Sequence, residues 1–317
     1  MFETPERKYL PSAVQIAFLA LCCGCRASDG AATSRSAPSA TSAPAAAVAS
    51  VGEPPTELDV PATQTYAVTG LAPGERRPLL IFLHGLGASG QAAFDGLRLG
   101  ELGARERVFV LAPDGTRDRQ GRRFWNASAA CCNFDHSNID DVARLTRLID
   151  TWRARPDVDP KRVYLAGHSN GGFMTERLAC TLGGRVAAAA SLAGAAPPEQ
   201  LPCAPQGSLA LLEVHGDADP VVRYEGGSVF GSAELAAYPS IEGGFREWGK
   251  RLRCTGAPES APALDLDPQL SGAETLVQRF GDCAAGSVTL WTVHGGEHFV
   301  GTGQPMFDAV WRFLAAH

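Results

Sequence analysis

The stretch that decides the fold of this chain is Gly167-His168-Ser169-Asn170-Gly171. An apolar run, Arg162-Val163-Tyr164-Leu165-Ala166, precedes it and predicts a short buried strand. The segment that follows, Gly172–Cys180, predicts a helix. A serine framed by two glycines between a strand and a helix predicts a turn too tight for bulky neighbours. The strain of this turn would expose the Ser169 hydroxyl, and the helix N-terminus behind it would favour negative charge.

Apolar strands alternate with amphipathic helices along the rest of the chain. The other predicted strands are Arg77–Leu83, Val108–Pro113, Val186–Leu192, Leu209–Val214, Glu274–Phe280 and Val288–Val293. The other predicted helices are Asn138–Arg153, Ile241–Leu252 and Met306–Ala316. This alternation predicts an α/β protein with a mostly parallel sheet and helices on both faces. Together with the G-x-S-x-G turn, it predicts a single domain with the α/β-hydrolase fold.

The composition divides the chain into three parts. Residues 1–25 are predicted to be a signal peptide, and residues 58–317 the catalytic domain. Residues 26–57 between them are dominated by Ala, Ser, Pro and Thr, a composition that cannot bury a core. We expect this middle part to be a disordered tether.

The N-terminus has the features of an export signal. Arg7 and Lys8 give a basic start, and the mostly apolar run Tyr9–Leu21 is too short to span a bilayer comfortably. Gly24 immediately precedes Cys25, as in a bacterial lipoprotein signal. The protein is therefore expected to be secreted, periplasmic or on the outer surface. Membrane attachment through an N-terminal lipid is one alternative, and an ordinary secretory signal cut near Ala27 is the other.

Charge and hydropathy exclude several classes of partner. The 317 residues carry a formal net charge of −6 at pH 7, which argues against nucleic acid as the main partner. Beyond the N-terminus no apolar stretch is long enough to cross a membrane, so no internal span is expected. The domain is expected to be a monomer.

Six cysteines lie beyond the tether, and an even number in an exported domain favours disulfides. The pairings expected are Cys254 with Cys283 and Cys180 with Cys203. This leaves Cys131 and Cys132 to each other, a strained pairing that puts the scheme in doubt. Zinc binding is the alternative, but the chain has no paired C-x-x-C spacing.

A serine hydroxyl needs a base within hydrogen-bond reach, and the base needs an acid that orients it. In this fold the chain order is serine, acid, histidine. The acid should follow a strand downstream of Ser169, and two carboxylates follow Val214. Asp219, which precedes Pro220 in a turn, is the predicted acid, whereas Asp217 is assigned to a turn or cap.

The base should lie in the loop after the last strand, and two histidines are found there. His298 follows two glycines, which would allow a loop to carry it over Ser169, and it is the predicted base. His294 continues the strand and is expected to pack or to bond locally.

The tetrahedral intermediate of such a reaction needs two N–H donors for its oxyanion. One should be the N–H of Asn170, directly after the nucleophile. The other should come from the loop after the first buried strand, and Leu86 is the expected donor. This chemistry predicts no metal and no cofactor.

Four blocks of sequence resemble one family. They are Leu83-His84-Gly85, the Phe124–Val142 region with Cys131-Cys132 and Asp140-Asp141, the segment Arg162–Gly172, and the segment His215–Tyr224. In these blocks the chain resembles polyhydroxybutyrate depolymerase-like esterases, including feruloyl and acetylxylan esterases, from about residue 75 onward. The resemblance implies export, an α/β-hydrolase fold and metal-free hydrolysis of carboxylic esters. It also implies the triad Ser169, Asp219 and His298.

The chain departs from the family pattern near the expected mouth of the site. It has Glu297-His298-Phe299-Val300 where the family usually has a Trp-Pro pair after the histidine, and Arg223 where proline is common. These departures put the identity of the substrate in doubt more than the chemistry. The substrate is expected to be an ester, either a small molecule or one linked to a polysaccharide or polyester. The expected substrate contacts are Trp125, His168, Tyr224 and Phe299; a core role is the alternative for Trp125.

Two other functions are compatible with the same fold. A serine peptidase would normally carry a larger cap or propeller domain. An inactive binding module would normally lack one triad member, whereas this chain retains all three candidates.

Overall fold

The computed structural model describes residues 62–198, 203, 205, 207–300 and 303–317. The predicted signal peptide and tether, residues 1–57, lie outside the described residues, so their assignment stays a prediction. The described residues belong to one compact unit that extends to His317.

A nine-stranded sheet forms the centre of this unit. Its strands in chain order are β1 (Thr63–Tyr66), β2 (Arg77–Leu83), β3 (Phe109–Pro113), β6 (Val158–His168), β7 (Ala188–Leu192), β8 (Leu209–Gly216), β10 (Glu259–Leu264), β11 (Thr275–Phe280) and β13 (Gly286–Val293). Two short hairpins complete the strands: β4 (Thr116–Arg117) with β5 (Arg123–Phe124), and β9 (Cys254–Thr255) with β12 (Asp282–Cys283).

The spatial order of the sheet is β1-β3-β2-β6-β7-β8-β13-β11-β10. The strands from β3 to β13 in this order are parallel, whereas β1, β11 and β10 are antiparallel to their neighbours. The mostly parallel sheet predicted from the sequence is therefore confirmed. Because the carboxyl ends of parallel strands meet at one edge, the loops after β2, β6, β8 and β13 lie along the same edge.

Helices cover both faces of the sheet. They are α1 (Gly90–Gly96), α2 (Leu99–Glu106), α3 (Asp141–Arg153), α4 (Asn170–Thr181), α5 (Ile241–Arg251) and α6 (Gln304–Ala315). The buried side chains of α3, α4 and α5 belong to one apolar cluster, and those of α2 and α6 to a second. Two clusters separated by a sheet are the expected result of helices on both faces, and the predicted α/β-hydrolase fold is confirmed.

Several elements differ from the sequence prediction. Helix α3 begins at Asp141 rather than Asn138, because the Asp140 carboxylate caps it by accepting from the Ala143 N–H at 2.8 Å. Strand β6 begins at Val158, four residues before the predicted start. The prediction missed the edge strands β1 and β10 and the helices α1 and α2. Strand β10 is exposed or half-buried throughout, so it has no alternating apolar pattern to detect.

Disulfides join Cys180 to Cys203 and Cys254 to Cys283, as predicted. The structure also joins the neighbours Cys131 and Cys132, the pairing that the sequence disfavoured. Among the described residues, no helix has the length and apolarity needed to cross a membrane.

Candidate active site

Ser169 stands in the predicted sharp turn between β6 and α4. Its backbone has φ 55° and ψ −120°, a conformation that a residue with a side chain rarely adopts. A Cβ at Gly167 would collide with the Gly171 carbonyl, and a Cβ at Gly171 would collide with the Leu83 carbonyl. Both glycines of the motif are therefore required by close backbone approach, and Ser169 itself stays partly exposed.

The structure brings the three triad candidates together at the carboxyl edge of the sheet. His298 Nε2 lies 2.9 Å from Ser169 Oγ, and His298 Nδ1 donates to Asp219 Oδ2 at 2.7 Å. The hydrogen on Nδ1 leaves Nε2 of a neutral imidazole free to accept the serine proton. Ser169, His298 and Asp219 therefore form one continuous hydrogen-bonded chain.

Asp219 is held ionised by donors from several directions. Its Oδ1 accepts from the N–H groups of Val221 and Val222 at 2.7 and 2.9 Å. Nε2 of His215 lies 3.4 Å from Oδ2. Burial alone would raise the pKa of Asp219, but the hydrogen bonds from His215, His298 and Val222 outweigh it and hold this pKa well below the usual range. The ionised carboxylate can stabilise an imidazolium at His298.

Asp217 and His294 form a second hydrogen-bonded pair, which does not include Ser169. His294 Nδ1 donates to Asp217 Oδ2 at 2.7 Å, and the Gly295 N–H donates to Oδ1 at the same distance. The His294 side chain is 79% exposed. Asp217 thus anchors the start of the histidine loop, in keeping with the turn role predicted for it.

The two expected oxyanion donors come from different segments. Asn170 is the first residue of α4, where N–H groups have no partner within the helix. Leu86 follows β2 in a loop that lies against the nucleophile, because a Cβ at Gly85 would stand 3.4 Å from Ser169 Cβ. Both segments that carry the expected donors therefore lie next to Ser169.

His168 and Phe299 form an aromatic stack beside the triad. Their ring centroids are 5.6 Å apart with planes 15° from parallel, and Phe299 is 73% exposed. His168 Nε2 donates to the His298 carbonyl at 2.8 Å. Burial lowers the pKa of His168 to about 4, so its ring is neutral at pH 7. The stack presents an apolar surface next to the base and fixes the backbone of that base.

Tyr224, another expected substrate contact, is held by contacts with Thr292 and His215. Its hydroxyl lies 2.7 Å from Thr292 Oγ1, and its ring meets His215 edge-on. Burial raises its pKa to about 12, so it stays protonated. It lines an open cavity of about 420 Å³ together with Asp217, Asp219 and Arg223.

Trp125, the fourth expected substrate contact, is fully buried, and the structure contradicts its assignment to the substrate surface. Its indole Nε1 donates to the His84 carbonyl at 2.9 Å, which turns the ring inward. The core role that was the alternative for this residue describes it better.

Two histidines near the site had no predicted role. His84 is buried, and burial lowers its pKa to about 4; its Nε2 accepts from the Gly115 N–H at 2.8 Å. His215 contacts Asp219 and donates to the Val222 carbonyl at 2.7 Å. Both follow or end a buried strand at the edge where the triad gathers, and this shared position is the signal that could have identified them.

The fold and the serine-histidine-aspartate arrangement define an α/β-hydrolase with a serine at the strand-to-helix turn. The chain belongs to the phospholipase/carboxylesterase family, whose model matches residues 66–240.

Curated relatives cover most of this chain. Feruloyl esterase B of Piromyces equi is 29% identical over 251 residues, which are 77% of this chain and 44% of that protein. The putative esterase NocK of Nocardia uniformis is 27% identical over 71% of this chain and 65% of its own length. Poly(3-hydroxyalkanoate) depolymerase C of Paucimonas lemoignei is 30% identical over 37% of this chain and 28% of its own length. The chain thus spans less than two thirds of each of these relatives. They confirm the predicted resemblance to feruloyl esterases and poly(3-hydroxyalkanoate) depolymerases.

Solved structures share the fold at low identity. An acetyl xylan esterase from Aspergillus awamori has a TM-score of 0.58 at 14% identity, over 80% of this chain and 94% of that one. A Bacillus cereus carboxylesterase has a TM-score of 0.52 at 16% identity, over 82% of this chain and 96% of that one.

Proposed function

We propose that this chain is a serine esterase that hydrolyses carboxylic esters through an acyl-enzyme. Ser169 is the nucleophile, His298 the general base and acid, and Asp219 the acid that orients the imidazole. The observation that carries the proposal is the pair of contacts made by His298, 2.9 Å to Ser169 Oγ and 2.7 Å to Asp219 Oδ2. Membership of the phospholipase/carboxylesterase family supports it.

The reaction proceeds in two halves. In the first half, Ser169 Oγ attacks the ester carbonyl carbon while His298 Nε2 takes its proton. The carbonyl oxygen becomes an oxyanion, to which the N–H groups of Asn170 and Leu86 donate. The bond to the alcohol then breaks, and His298 gives its proton to the leaving oxygen.

The second half repeats these steps with water. His298 takes a proton from a water molecule, the water oxygen attacks the acyl carbon, and the tetrahedral intermediate forms again. The bond to Ser169 Oγ breaks, His298 returns the proton to the serine, and the free acid leaves. Asp219 stays ionised throughout, in accord with its depressed pKa.

The proposed substrates are feruloyl or acetyl esters of plant cell walls, or polyhydroxyalkanoate oligomers. The exposed Phe299 ring beside His298 supports an acyl group with apolar or aromatic character. The relatives support the same classes, since they include a feruloyl esterase, a bifunctional acetylxylan esterase/xylanase and a poly(3-hydroxyalkanoate) depolymerase.

Export from the cytoplasm, with the mature enzyme secreted or carried on the outer surface by a lipid, is part of the proposal. Three disulfides support it, because disulfides persist in oxidising compartments. Mass spectrometry of the mature N-terminus would test it. An acylated Cys25 supports lipid anchoring, a free N-terminus near Ala27 supports simple secretion, and an intact Met1 in the cytoplasm contradicts export.

The activity is tested with a panel of p-nitrophenyl esters of increasing chain length, methyl ferulate, acetylated xylan and hydroxybutyrate oligomers. We expect turnover of at least one ester, and Ser169→Ala should lower it by about 10⁴- to 10⁶-fold with the same melting temperature. Peptide anilides serve as the comparison. Faster cleavage of the anilides would favour a peptidase, and ester binding without turnover would favour an inactive module.

A further inference from the structure

Trp125 and Asn170 are joined by a pair of hydrogen bonds beneath the nucleophile. The Trp125 N–H donates to Asn170 Oδ1 at 2.7 Å, and Asn170 Nδ2 donates to the Trp125 carbonyl at 2.9 Å. Both residues are fully buried. The carboxamide accepts one bond through its oxygen and donates the other through its nitrogen, which an ionised carboxylate of the same size could not do. The start of α4, where the Asn170 N–H lies, is thereby attached to the segment that carries Trp125.

The same tryptophan reaches the other oxyanion segment through its ring. Its Nε1 donates to the His84 carbonyl at 2.9 Å, two residues before Leu86. The His84 ring extends the contact, since it lies 5.1 Å from the indole and bonds the Gly85 carbonyl and the Gly115 N–H, each at 2.8 Å. One residue thus contacts both segments that are expected to donate to the oxyanion.

An ion pair between Arg144 and Asp141 packs against the Trp125 ring. The Arg144 guanidinium lies 5.1 Å from the indole centroid and is bound by Asp141 Oδ1 at 2.7 and 3.1 Å. The other oxygen of this buried carboxylate accepts from the Asn126 N–H at 2.7 Å. The ring and the backbone of Trp125 therefore have little freedom to shift.

We propose that Trp125 is a positioning residue that sets the separation between the Asn170 and Leu86 N–H groups. This inference rests on the proposed esterase function. The two donors belong to segments far apart in the chain, and a displacement of about 1 Å at a reacting group can cost about 10²-fold in rate. A shared anchor keeps both donors aimed at the position that the oxyanion reaches only in the transition state.

The test removes the indole N–H of Trp125 and keeps an aromatic side chain at this position. Trp125→Phe loses the bond to the His84 carbonyl, and we expect kcat to fall about 10- to 100-fold with KM within about threefold. Trp248→Phe is the matched control, because Trp248 is also fully buried and its Nε1 donates to Glu176 at 2.8 Å. The control should lower the melting temperature similarly and leave kcat within about threefold.

A second variant covers the case in which Trp125→Phe does not fold. Asn170→Asp keeps the size of the side chain, but an ionised carboxylate cannot donate to the Trp125 carbonyl. It should lower kcat more than KM, as Trp125→Phe does. A rise in KM at unchanged kcat, or a loss of kcat no larger than in Trp248→Phe, overturns the inference and leaves Trp125 with a packing role.

Hydrogen–deuterium exchange gives a measurement that does not depend on turnover. Residues 84–88 should exchange faster in Trp125→Phe than in the wild type, and no faster in Trp248→Phe. If the exchange of residues 84–88 is unchanged in Trp125→Phe, the positioning role of Trp125 is overturned, whatever the activity of the wild type. If the wild type hydrolyses no ester while exchange rises as expected, the proposed function fails. Trp125 then positions the two segments, but this has no catalytic consequence.

Discussion

Asp217 Oδ2 accepts a hydrogen bond from His294 Nδ1 at 2.7 Å, the same distance that joins Asp219 to the other histidine of the loop, His298. The two pairs differ in their surroundings. His294 is 79% exposed, whereas the Asp219 carboxylate is buried. Only the second pair continues to a serine, since His298 Nε2 lies 2.9 Å from Ser169 Oγ. The contrast provides a built-in control for tests of the triad.

Asp219→Asn should lower kcat by about 10⁴-fold, because an amide favours the wrong imidazole tautomer. Asp217→Asn should lower kcat by less than about tenfold, since the Asp217 carboxylate bonds His294 and Gly295 at the start of the histidine loop. Steady-state kinetics on one p-nitrophenyl ester would compare them. The opposite ranking would assign the acid to Asp217.

His298→Ala should abolish detectable ester hydrolysis, whereas His294→Ala should mainly reduce stability. A protonated imidazole cannot accept the Ser169 proton, so wild-type activity should fall in mild acid and level off in mild alkali. Treatment with EDTA should leave the rate unchanged, because every proton transfer in the proposed mechanism uses protein groups. An active His298→Ala variant, or inhibition by EDTA that added metal reverses, would contradict the assignment.

Phe299→Ala should raise KM for methyl ferulate about three- to tenfold and change KM for p-nitrophenyl acetate less than twofold. Phe299 is 73% exposed and its ring stacks on His168 beside the base, so an aryl acyl group could lie against it. Parallel kinetics on the two esters would measure the difference. Equal effects on both substrates would indicate a structural role for this ring.

Two carboxyl groups, Glu176 and Glu213, are fully buried beneath the site, on α4 and β8. Burial raises the pKa of Glu176 to about 7, against hydrogen bonding from Trp248 and the charge of Arg251. Burial and the neighbouring Glu176 raise the pKa of Glu213 well above its ordinary value. Within the described residues neither oxygen of Glu213 has a hydrogen-bond partner. The folded protein therefore holds protons that the unfolded chain would release.

Because the folded state binds more protons at these two carboxyls, their contribution to stability should be fully present below the ordinary pKa of 4.5 and should be lost as the pH rises towards about 7. Glu213→Gln should remove part of this loss and raise the melting temperature of the protein at pH 8. Near pH 4 the variant and the wild type should unfold at similar temperatures. Thermal unfolding across this pH range measures the effect, with the exposed Glu242→Gln as control; parallel curves for wild type and Glu213→Gln would refute it.

Replacing both Cys254 and Cys283 with alanine should lower the free energy of unfolding by about 3 kcal/mol. The disulfide joins residues 29 positions apart and links β9 to β12, so its loss frees the unfolded chain. Denaturant unfolding measures the change. Reaction of thiol reagents with the native protein at these positions would show that the bond does not form.

The local sequence pattern alone was sufficient to predict the strand-to-helix turn at Ser169 and most strands of the sheet. A sequence with glycine at positions 167 and 171 and an apolar run before them has few ways to place a serine other than in a sharp turn. The runs that became β2, β3, β7 and β8 were recognised because they are buried, and buried strands consist mostly of apolar residues. Helix α1 escaped recognition because it is short and has glycine at both ends. Edge strand β10 escaped because its residues remain exposed or half-buried.

The tertiary structure decided which candidate site residues come together, because this depends on contacts between segments distant in the chain. The sequence ranked Asp219 above Asp217 and His298 above His294, but only the fold brought His298 within 2.9 Å of a serine 129 residues away. It also reversed the role of Trp125, whose aromatic ring suggests substrate binding until its bonds to His84 and Asn170 are seen. Residue type and order determine which chemistry is available, because they set acidity, size and backbone freedom. Distance and burial determine which candidates use it, because hydrogen bonds form only where packing brings the atoms together.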